Sequence, residues 1–191
     1  MEERIHLLSQ GKIALIGFRG VGKSSVAKRV ASQMKYSSLS LDNYITENEK
    51  MSIKDIVSQK GWNYFRDLEE KYLFKVSDQK QIVLDTGGGF LEGHDGLFSS
   101  VKSALVRNNF YCIYLFLKGE LIIERLEKIK GSESRPSLGN SSELEAIYKK
   151  REPWYRSISD FTVDTENLNV NQVVDAVYEK VSKINADGII H

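Results

Sequence analysis

Residues 17–24 read Gly17-Phe18-Arg19-Gly20-Val21-Gly22-Lys23-Ser24 and match the pattern G-x-x-x-x-G-K-[ST] at every fixed position. A strand-like apolar run precedes this segment at 13–16, and a helical pattern follows it from residue 25. The glycines let successive backbone N–H groups turn inward around phosphate oxygens, and the helix N-terminus adds partial positive charge. This context predicts a nucleotide phosphate-binding loop, which motors, switches and kinases share.

The residue types in this loop indicate how a nucleotide would be held. Lys23 supplies a full positive charge for the β- and γ-phosphates, and the Ser24 hydroxyl is a ligand for Mg²⁺. The residues expected to bind ATP here are Gly17, Gly20, Val21, Gly22, Lys23, Ser24 and Ser25. Arg19 occupies a variable position of the pattern and is expected to point to solvent.

Short β-like runs alternate with helical patterns along the whole chain. Runs rich in Val, Ile, Tyr and Phe predict strands at 12–18, 36–41, 81–86, 111–117 and 161–163. Helical spacing predicts helices at 23–34, 53–60, 63–77, 96–106, 120–130, 142–155 and 170–184. This alternation predicts an open α/β sheet of parallel strands with helices on both faces. Ligands of such sheets bind beyond the carboxyl ends of the strands.

The composition sets limits on the class of protein. A chain of 191 residues, 41% hydrophobic and 28% charged, is expected to form a single globular domain, 1–191. Lys and Arg (27) nearly balance Asp and Glu (26), so no broad basic surface favours nucleic acid. The longest apolar stretch, 111–117, is too short to span a membrane. The single cysteine, Cys112, is expected in the core and fits a cytoplasmic protein, and we expect a monomer.

Further segments follow the loop in a fixed order. They are Ser40-Leu41-Asp42-Asn43-Tyr44-Ile45, Phe65-Arg66-Asp67-Leu68-Glu69, Thr86-Gly87-Gly88-Gly89, and the pair Arg135-Pro136 and Arg151-Glu152-Pro153-Trp154-Tyr155. With the loop, this ordered set resembles the shikimate kinase family from about residue 12 to 177. The resemblance implies a P-loop kinase fold with a five-stranded parallel sheet, a substrate-binding helical region at about 42–77 and a mobile lid at about 130–142. The implied reaction uses ATP and Mg²⁺ to phosphorylate the 3-hydroxyl of shikimate in aromatic amino acid (chorismate) biosynthesis.

Shikimate carries one carboxylate and three hydroxyls, so its recognition requires cations and hydrogen-bond acceptors. Arg66 and Arg151 match the family positions that bind the carboxylate, and a guanidinium pairs with a carboxylate in bidentate fashion. Glu69 lies three residues after Arg66 on the same helical face, where it can orient the guanidinium. The alternative for each arginine is a solvated surface charge.

Recognition of the shikimate hydroxyls requires hydrogen-bonding groups, and the ends of the predicted strands supply candidates. Asp42 closes the second predicted strand, and the resemblance makes it the residue that positions the attacking hydroxyl and accepts its proton. Its alternative role is that of a helix N-cap. The glycines Gly87, Gly88 and Gly89 end the third predicted strand and allow close backbone approach to a ligand. The resemblance implies contacts with the hydroxyls, whereas a plain tight turn is the alternative.

The implied lid and its neighbourhood supply further candidates. Arg135 lies in the middle of the lid and matches an arginine that stabilises the transferring phosphoryl group, so it is a candidate for both catalysis and ATP binding. Arg125 lies where the family packs an arginine on adenine, and Lys128 competes for that role.

The match to the family breaks at the metal site. Ser40 stands where the family usually has the first acid of Asp-x-Asp, which acts near Mg²⁺. Asp85 ends an apolar strand run in the manner of a Walker B carboxylate, so we expect it to replace part of the lost function with Ser24. Its alternative role is a strand-end carboxylate bonded to nearby backbone. Val57 is a smaller departure, because many relatives have phenylalanine there.

Two rival functions remain open at this stage. A related small-molecule kinase, such as one for gluconate, would also need arginines for the acceptor carboxylate, because gluconate is another hydroxy acid. A regulatory or catalytically weak nucleotide-binding module is favoured only by Ser40. The residues retained for catalysis oppose that reading: Lys23, Ser24, Asp42, Arg66, Arg135 and Arg151.

Overall fold

The computed structural model describes residues 2–128 and 139–188, and strands alternate with helices within these ranges. The strands are β1 (Lys12–Ile16), β2 (Ser37–Ser40), β3 (Ile82–Asp85), β4 (Tyr111–Phe116) and β5 (Phe161–Asp164). The helices are α1 (Glu2–Ser9), α2 (Lys23–Met34), α3 (Leu41–Glu49), α4 (Ile53–Val76), α5 (Ser100–Asn109), α6 (Gly119–Lys128), α7 (Ser141–Ile158) and α8 (Val170–Gly188). A short 3-10 helix spans His94–Gly96.

The five strands form one parallel sheet in the order β2-β3-β1-β4-β5. Every side chain of β1 and β3 is buried. Because successive side chains of a strand point to opposite faces, helices must cover both faces of the sheet. The sequence prediction of a parallel α/β sheet is therefore confirmed. The phosphate loop joins the carboxyl end of β1 to the start of α2.

Two helices were not expected from the sequence, and one of them moves Asp42. Helix α3 starts directly after β2, so Asp42 lies in the first turn of a helix and does not close the strand. The alternative N-cap role is also wrong for Asp42, because Ser40 is the N-cap and its hydroxyl accepts from the Asn43 amide. Helix α1 packs its buried Leu8 into the core, while Arg4 bonds to Asp160 beside β5.

A third difference concerns the predicted helix at 96–106, which begins later. Residues His94–Gly96 form a 3-10 turn, and Ser99 caps α5 by accepting from the Lys102 amide. The glycine at 96 has a φ of 72°, which a helix does not accommodate.

Helix α4 contains a break that the sequence pattern predicted. Gly61 has φ 80° and ψ 170°, so two helical segments meet there rather than one continuous helix. The predicted pair at 53–60 and 63–77 is thus confirmed. The break places Trp62, Phe65 and Arg66 at the start of the second segment, facing the glycine turn after β3.

The expected core position of Cys112 is confirmed. Cys112 is fully buried in β4, and burial raises the pKa of its thiol to about 12, as expected of a core residue. Among the described residues, no helix has both the length and the apolar character needed to cross a membrane.

Candidate active site

The phosphate loop has the backbone conformation that its glycines predicted. Gly17, Gly20 and Gly22 all have positive φ, at 143°, 87° and 103°. The Lys23 ammonium donates to the carbonyl oxygens of Gly17 and Phe18 at 2.8 and 3.0 Å, so the cation is held over the loop. A cavity opens here, and its lining includes five of the predicted ATP-binding residues, Gly20, Gly22, Lys23, Ser24 and Ser25. Arg19, Asp85 and Gly87 complete the lining.

The glycine turn after β3 lies directly against the phosphate loop and Asp42. Only Gly87 has positive φ, at 77°, and a Cβ there would lie 2.8 Å from Oδ1 of Asp42. A Cβ at Gly88 would lie 2.6 Å from the amide nitrogen of Arg19, far inside normal contact distance. A plain tight turn would require glycine only at position 87, where φ is positive. The absence of a side chain at Gly88 is required by the close approach of two backbones.

Gly89 faces the two arginines that the sequence assigned to the substrate carboxylate. A Cβ at Gly89 would lie 3.1 Å from Nη2 of Arg66 and 3.1 Å from Nη2 of Arg151. These arginines come from α4 and α7, and their exposed fractions are only 6% and 5%. The surface-charge alternative is therefore wrong for both. We call Arg66 and Arg151 the arginine fork.

Buried carboxylates hold the fork in place. As expected, Glu69 accepts from Nη1 of Arg66 at 2.9 Å. A second carboxylate, Glu92, accepts from Nη2 of Arg66 at 2.7 Å and from Nε and Nη2 of Arg151 at 3.1 and 2.6 Å. Sequence reasoning missed Glu92, because a single acid in a loop carries no periodic signal. Its only sequence cue is its position three residues after Gly89.

The ionisation of this cluster follows from burial and pairing. Burial is the largest influence on the pKa of Glu92 and would raise it, but Arg151, Arg66 and Lys150 together bring that pKa below its ordinary value. Lys102 completes the cluster, with its ammonium 2.9 Å from Oε2 of Glu69 and bonded to the carbonyl of Glu92. Burial lowers the pKa of Lys102, and Glu69 opposes that shift. Glu92 is thus an anion at neutral pH.

The fork opens into a pocket that also contains Asp42. The pocket is lined by Arg19, Asp42, Ile53, Trp62, Phe65, Arg66, Glu69, Gly88, Gly89 and Arg151. Arg19 is half-buried and lines both this pocket and the phosphate-loop cavity, so the expectation that it points to solvent is wrong. Trp62 is 40% exposed, and its ring lies 5.0 Å from Cζ of Arg66 in the pocket wall. Val57 packs against the core.

The candidate metal ligands lie at the edge of the phosphate-loop cavity. The Ser24 hydroxyl donates to Oδ2 of Asp85, whose carboxylate is 3% exposed and accepts from the Gly87 amide through Oδ1 at 3.3 Å. Asp85 pairs in register with Ser40 on the neighbouring strand. The two side-chain oxygens fit a hard cation that completes its shell with phosphate and water. Within the described ranges, no group of three or more His, Cys, Asp or Glu is arranged to hold a metal.

Both candidates for binding the nucleotide base lie on α6. Arg125 and Lys128 are both exposed on α6, and Lys128 pairs with Glu124 at 2.8 Å. The same helix lies beside the phosphate loop, because a Cβ at Gly20 would be 3.1 Å from Leu126. Arg135 and residues 130–138 of the predicted lid lie outside the described residues.

The phosphate loop and the arginine fork open into neighbouring cavities that share Arg19, and together they define a phosphotransferase for a small acidic acceptor. The family model for shikimate kinase matches residues 19–182. The chain is 32% identical over 174 residues to the shikimate kinase of Dictyoglomus turgidum, covering 90% of this chain and 98% of that protein. The chain therefore belongs to the shikimate kinase family.

Solved structures agree with this assignment at the level of the fold. The shikimate kinase from Acinetobacter baumannii in complex with shikimate has a TM-score of 0.82 at 22% identity, covering 94% of this chain and 97% of that one. A gluconokinase from Sinorhizobium meliloti has a TM-score of 0.59 at 15% identity, covering 93% and 95%. The two kinds of kinase share an architecture, so the fold alone does not separate them.

The contact between Gly88 and the phosphate loop generates a first prediction. Gly88→Ala places a methyl group 2.6 Å from the Arg19 amide nitrogen, so the loop and the turn must separate. We expect the variant to lose about 1–3 kcal/mol of unfolding free energy and most of its activity. Gly93→Ala is the matched control, because its Cβ would meet Ser99 at an ordinary 3.4 Å. Urea unfolding and turnover of both variants test this, and equal tolerance would contradict it.

Proposed function

We propose that this chain is a shikimate kinase that transfers the γ-phosphoryl group of ATP to the 3-hydroxyl of shikimate, in chorismate biosynthesis. We further propose that it acts as a single kinase domain and a cytoplasmic monomer. One observation carries the proposal: a buried fork of two arginines lies across a three-glycine turn from the phosphate loop. If the carboxylate of shikimate is bound in that fork, the shikimate ring lies within reach of the phosphates.

In this proposal, the phosphate loop binds the nucleotide. Backbone N–H groups between Gly17 and Ser25 surround the phosphates, and Lys23 moves from the loop carbonyls to the β- and γ-phosphates. Arg125 is assigned to the adenine because it is exposed on α6 beside the loop, whereas Lys128 already pairs with Glu124. Arg135 is assigned to the transferring group from its sequence position alone.

The acceptor is bound at both ends. Arg66 and Arg151 take its carboxylate, and Asp42 with the glycine turn takes its hydroxyls, because all of them face one pocket. Asp42 orients the 3-hydroxyl towards the γ-phosphorus. The hydroxyl oxygen then forms the new bond to phosphorus while the bond to the β,γ-bridging oxygen breaks. ADP leaves with that electron pair, and the hydroxyl proton passes to Asp42.

Magnesium would be held by Ser24 and Asp85 in this arrangement. A metal ion held there would supply positive charge against the negative charge that develops on the phosphates during transfer. Ser40 is already used to cap α3, so its hydroxyl is a poor replacement for the usual acid. The register pairing of Ser40 with Asp85 puts a carboxylate one strand away from the missing one, next to the Ser24 hydroxyl.

The decisive experiment is an ADP-release assay with purified protein and Mg·ATP. We expect ADP release that depends on shikimate, and little or none with gluconate at the same concentration. Both acceptors carry a carboxylate, so the comparison tests whether the pocket prefers a cyclic acceptor over an open-chain one of the same charge. Faster release with gluconate would favour the related kinase, and no release with either acceptor would favour a nucleotide-binding module without turnover.

The two halves of the site should respond differently to truncation. Lys23→Ala removes the charge that acts on the phosphates, so we expect kcat to fall at least a hundredfold. Arg66→Ala removes part of the fork, so we expect the shikimate KM to rise at least tenfold while the ATP KM stays near wild type. Arg156→Ala, an exposed arginine on α7, is the control. Equal, small effects from the first two variants would contradict the site assignment.

The role of Asp85 can be separated from catalysis in general. Asp85→Asn keeps the shape of the side chain but removes its charge, so we expect more Mg²⁺ to be needed for half-maximal rate. The readout is a Mg²⁺ titration at fixed ATP and shikimate. Asp164→Asn, which alters an exposed strand-end acid of β5, is the control. An unchanged Mg²⁺ requirement in Asp85→Asn would refute this assignment.

A further inference from the structure

A single carboxylate, Glu92, connects the two arginines of the fork. Glu92 is 8% exposed and lies just after the glycine turn, where it forms an isolated bridge with Phe98. Its Oε2 atom accepts from Nη2 of Arg66 and of Arg151, and its Oε1 atom accepts from Nε of Arg151. Because Arg66 belongs to α4 and Arg151 to α7, this carboxylate fixes two independent helices relative to each other.

The contacts leave donors of the fork directed at the pocket. Glu92 occupies the Nε–Nη2 edge of Arg151, and Nη1 of Arg151 donates to the Gly88 carbonyl at 3.2 Å. A guanidinium has five N–H groups, and the hydrogen bonds described above use three of them on Arg151 and two on Arg66. The Nη2 atoms of both arginines lie around Gly89, which lines the pocket.

The charges of the buried cluster do not balance. Arg66, Arg151 and Lys102 are positive, while Glu69 and Glu92 are negative, so the cluster has one positive charge in excess. Lys150 lies 3.9 Å from Glu92 and is 44% exposed, so water partly screens its charge and we leave it outside the buried cluster. Binding of one acceptor carboxylate would bring the net charge of this cluster to zero. Without Glu92 the excess would be two, and the guanidinium groups would repel each other in a site of low dielectric.

We propose that Glu92 is a positioning residue that sets the specificity of the fork for a monoanionic carboxylate acceptor. Glu92 is not part of the lining of the Asp42 pocket but lines a neighbouring cavity together with both arginines. From there it holds the two guanidinium groups so that their remaining N–H groups converge on one carboxylate. This inference rests on the proposed function. It differs from a purely structural role for Glu92, which would affect all acceptors alike, and from a competing role, in which Glu92 would occupy the fork at the expense of substrate.

The test compares two acceptors in Glu92→Gln and Glu92→Asp. The acceptors are shikimate and its carboxamide, which has the same ring and hydroxyls but no charge. Gln keeps the length and loses the charge, whereas Asp keeps the charge and retracts it. Glu145→Gln makes the same change in an exposed pair with Lys149 on α7 and serves as the control. Thermal unfolding of each protein accompanies the kinetics, and Asp, which retains the buried charge, carries the test if Gln does not fold.

We expect the ratio of kcat/KM for shikimate over the carboxamide to fall about tenfold to a hundredfold in both Glu92 variants. The loss should lie mainly in the shikimate KM, with the ATP KM and the control ratio near wild type. An equal loss for both acceptors would show a structural role and overturn the inference, and a lower shikimate KM would show competition and overturn it too. A wild type that phosphorylates neither acceptor would overturn the proposed function itself, whereas an active wild type with unchanged ratios in the variants would overturn only this inference.

Discussion

The close approach of the β3 glycine turn to its surroundings is the constraint on which this site depends. Gly87 faces Asp42, Gly88 faces the phosphate-loop backbone, and Gly89 faces the arginine fork. At Gly88 the distance to the loop backbone is shorter than a side chain would permit, and a side chain at Gly87 or Gly89 would displace Asp42 or an arginine of the fork. The glycine turn thus brings three segments that are far apart in sequence close to one another. The rest of the site is arranged around that absence of side chains.

Burying the fork creates an electrostatic problem that the fold solves locally. A guanidinium removed from water is unfavourable unless anions and acceptors replace its hydration. Glu69 and Glu92 provide that replacement, and the Gly88 carbonyl accepts from both Arg151 and the Tyr155 hydroxyl. The result is a pair of cations whose positions are fixed before any ligand arrives, so less ordering is needed when a carboxylate binds.

Patterns that repeat locally were readable from the sequence, and contacts between distant residues were not. The strands, the phosphate loop and the break at Gly61 all followed from short-range periodicity or glycine chemistry. Helix α3 was missed because its nine residues are mostly polar, with little apolar spacing. Glu92 was missed for another reason: its partners lie 26 and 59 residues away, and no local pattern encodes such a contact.

The interruption at Gly61 divides α4 into two segments that contribute different parts of the pocket. Ile53, before the break, forms apolar wall, whereas Arg66, after it, belongs to the charged network. Because the helical hydrogen-bond ladder does not run through Gly61, a substitution in the first segment need not displace the second. Substitutions before the break can therefore reshape the apolar wall of the pocket while the charged network stays intact. Residues that shape the pocket and residues that carry its charge can therefore change independently during evolution.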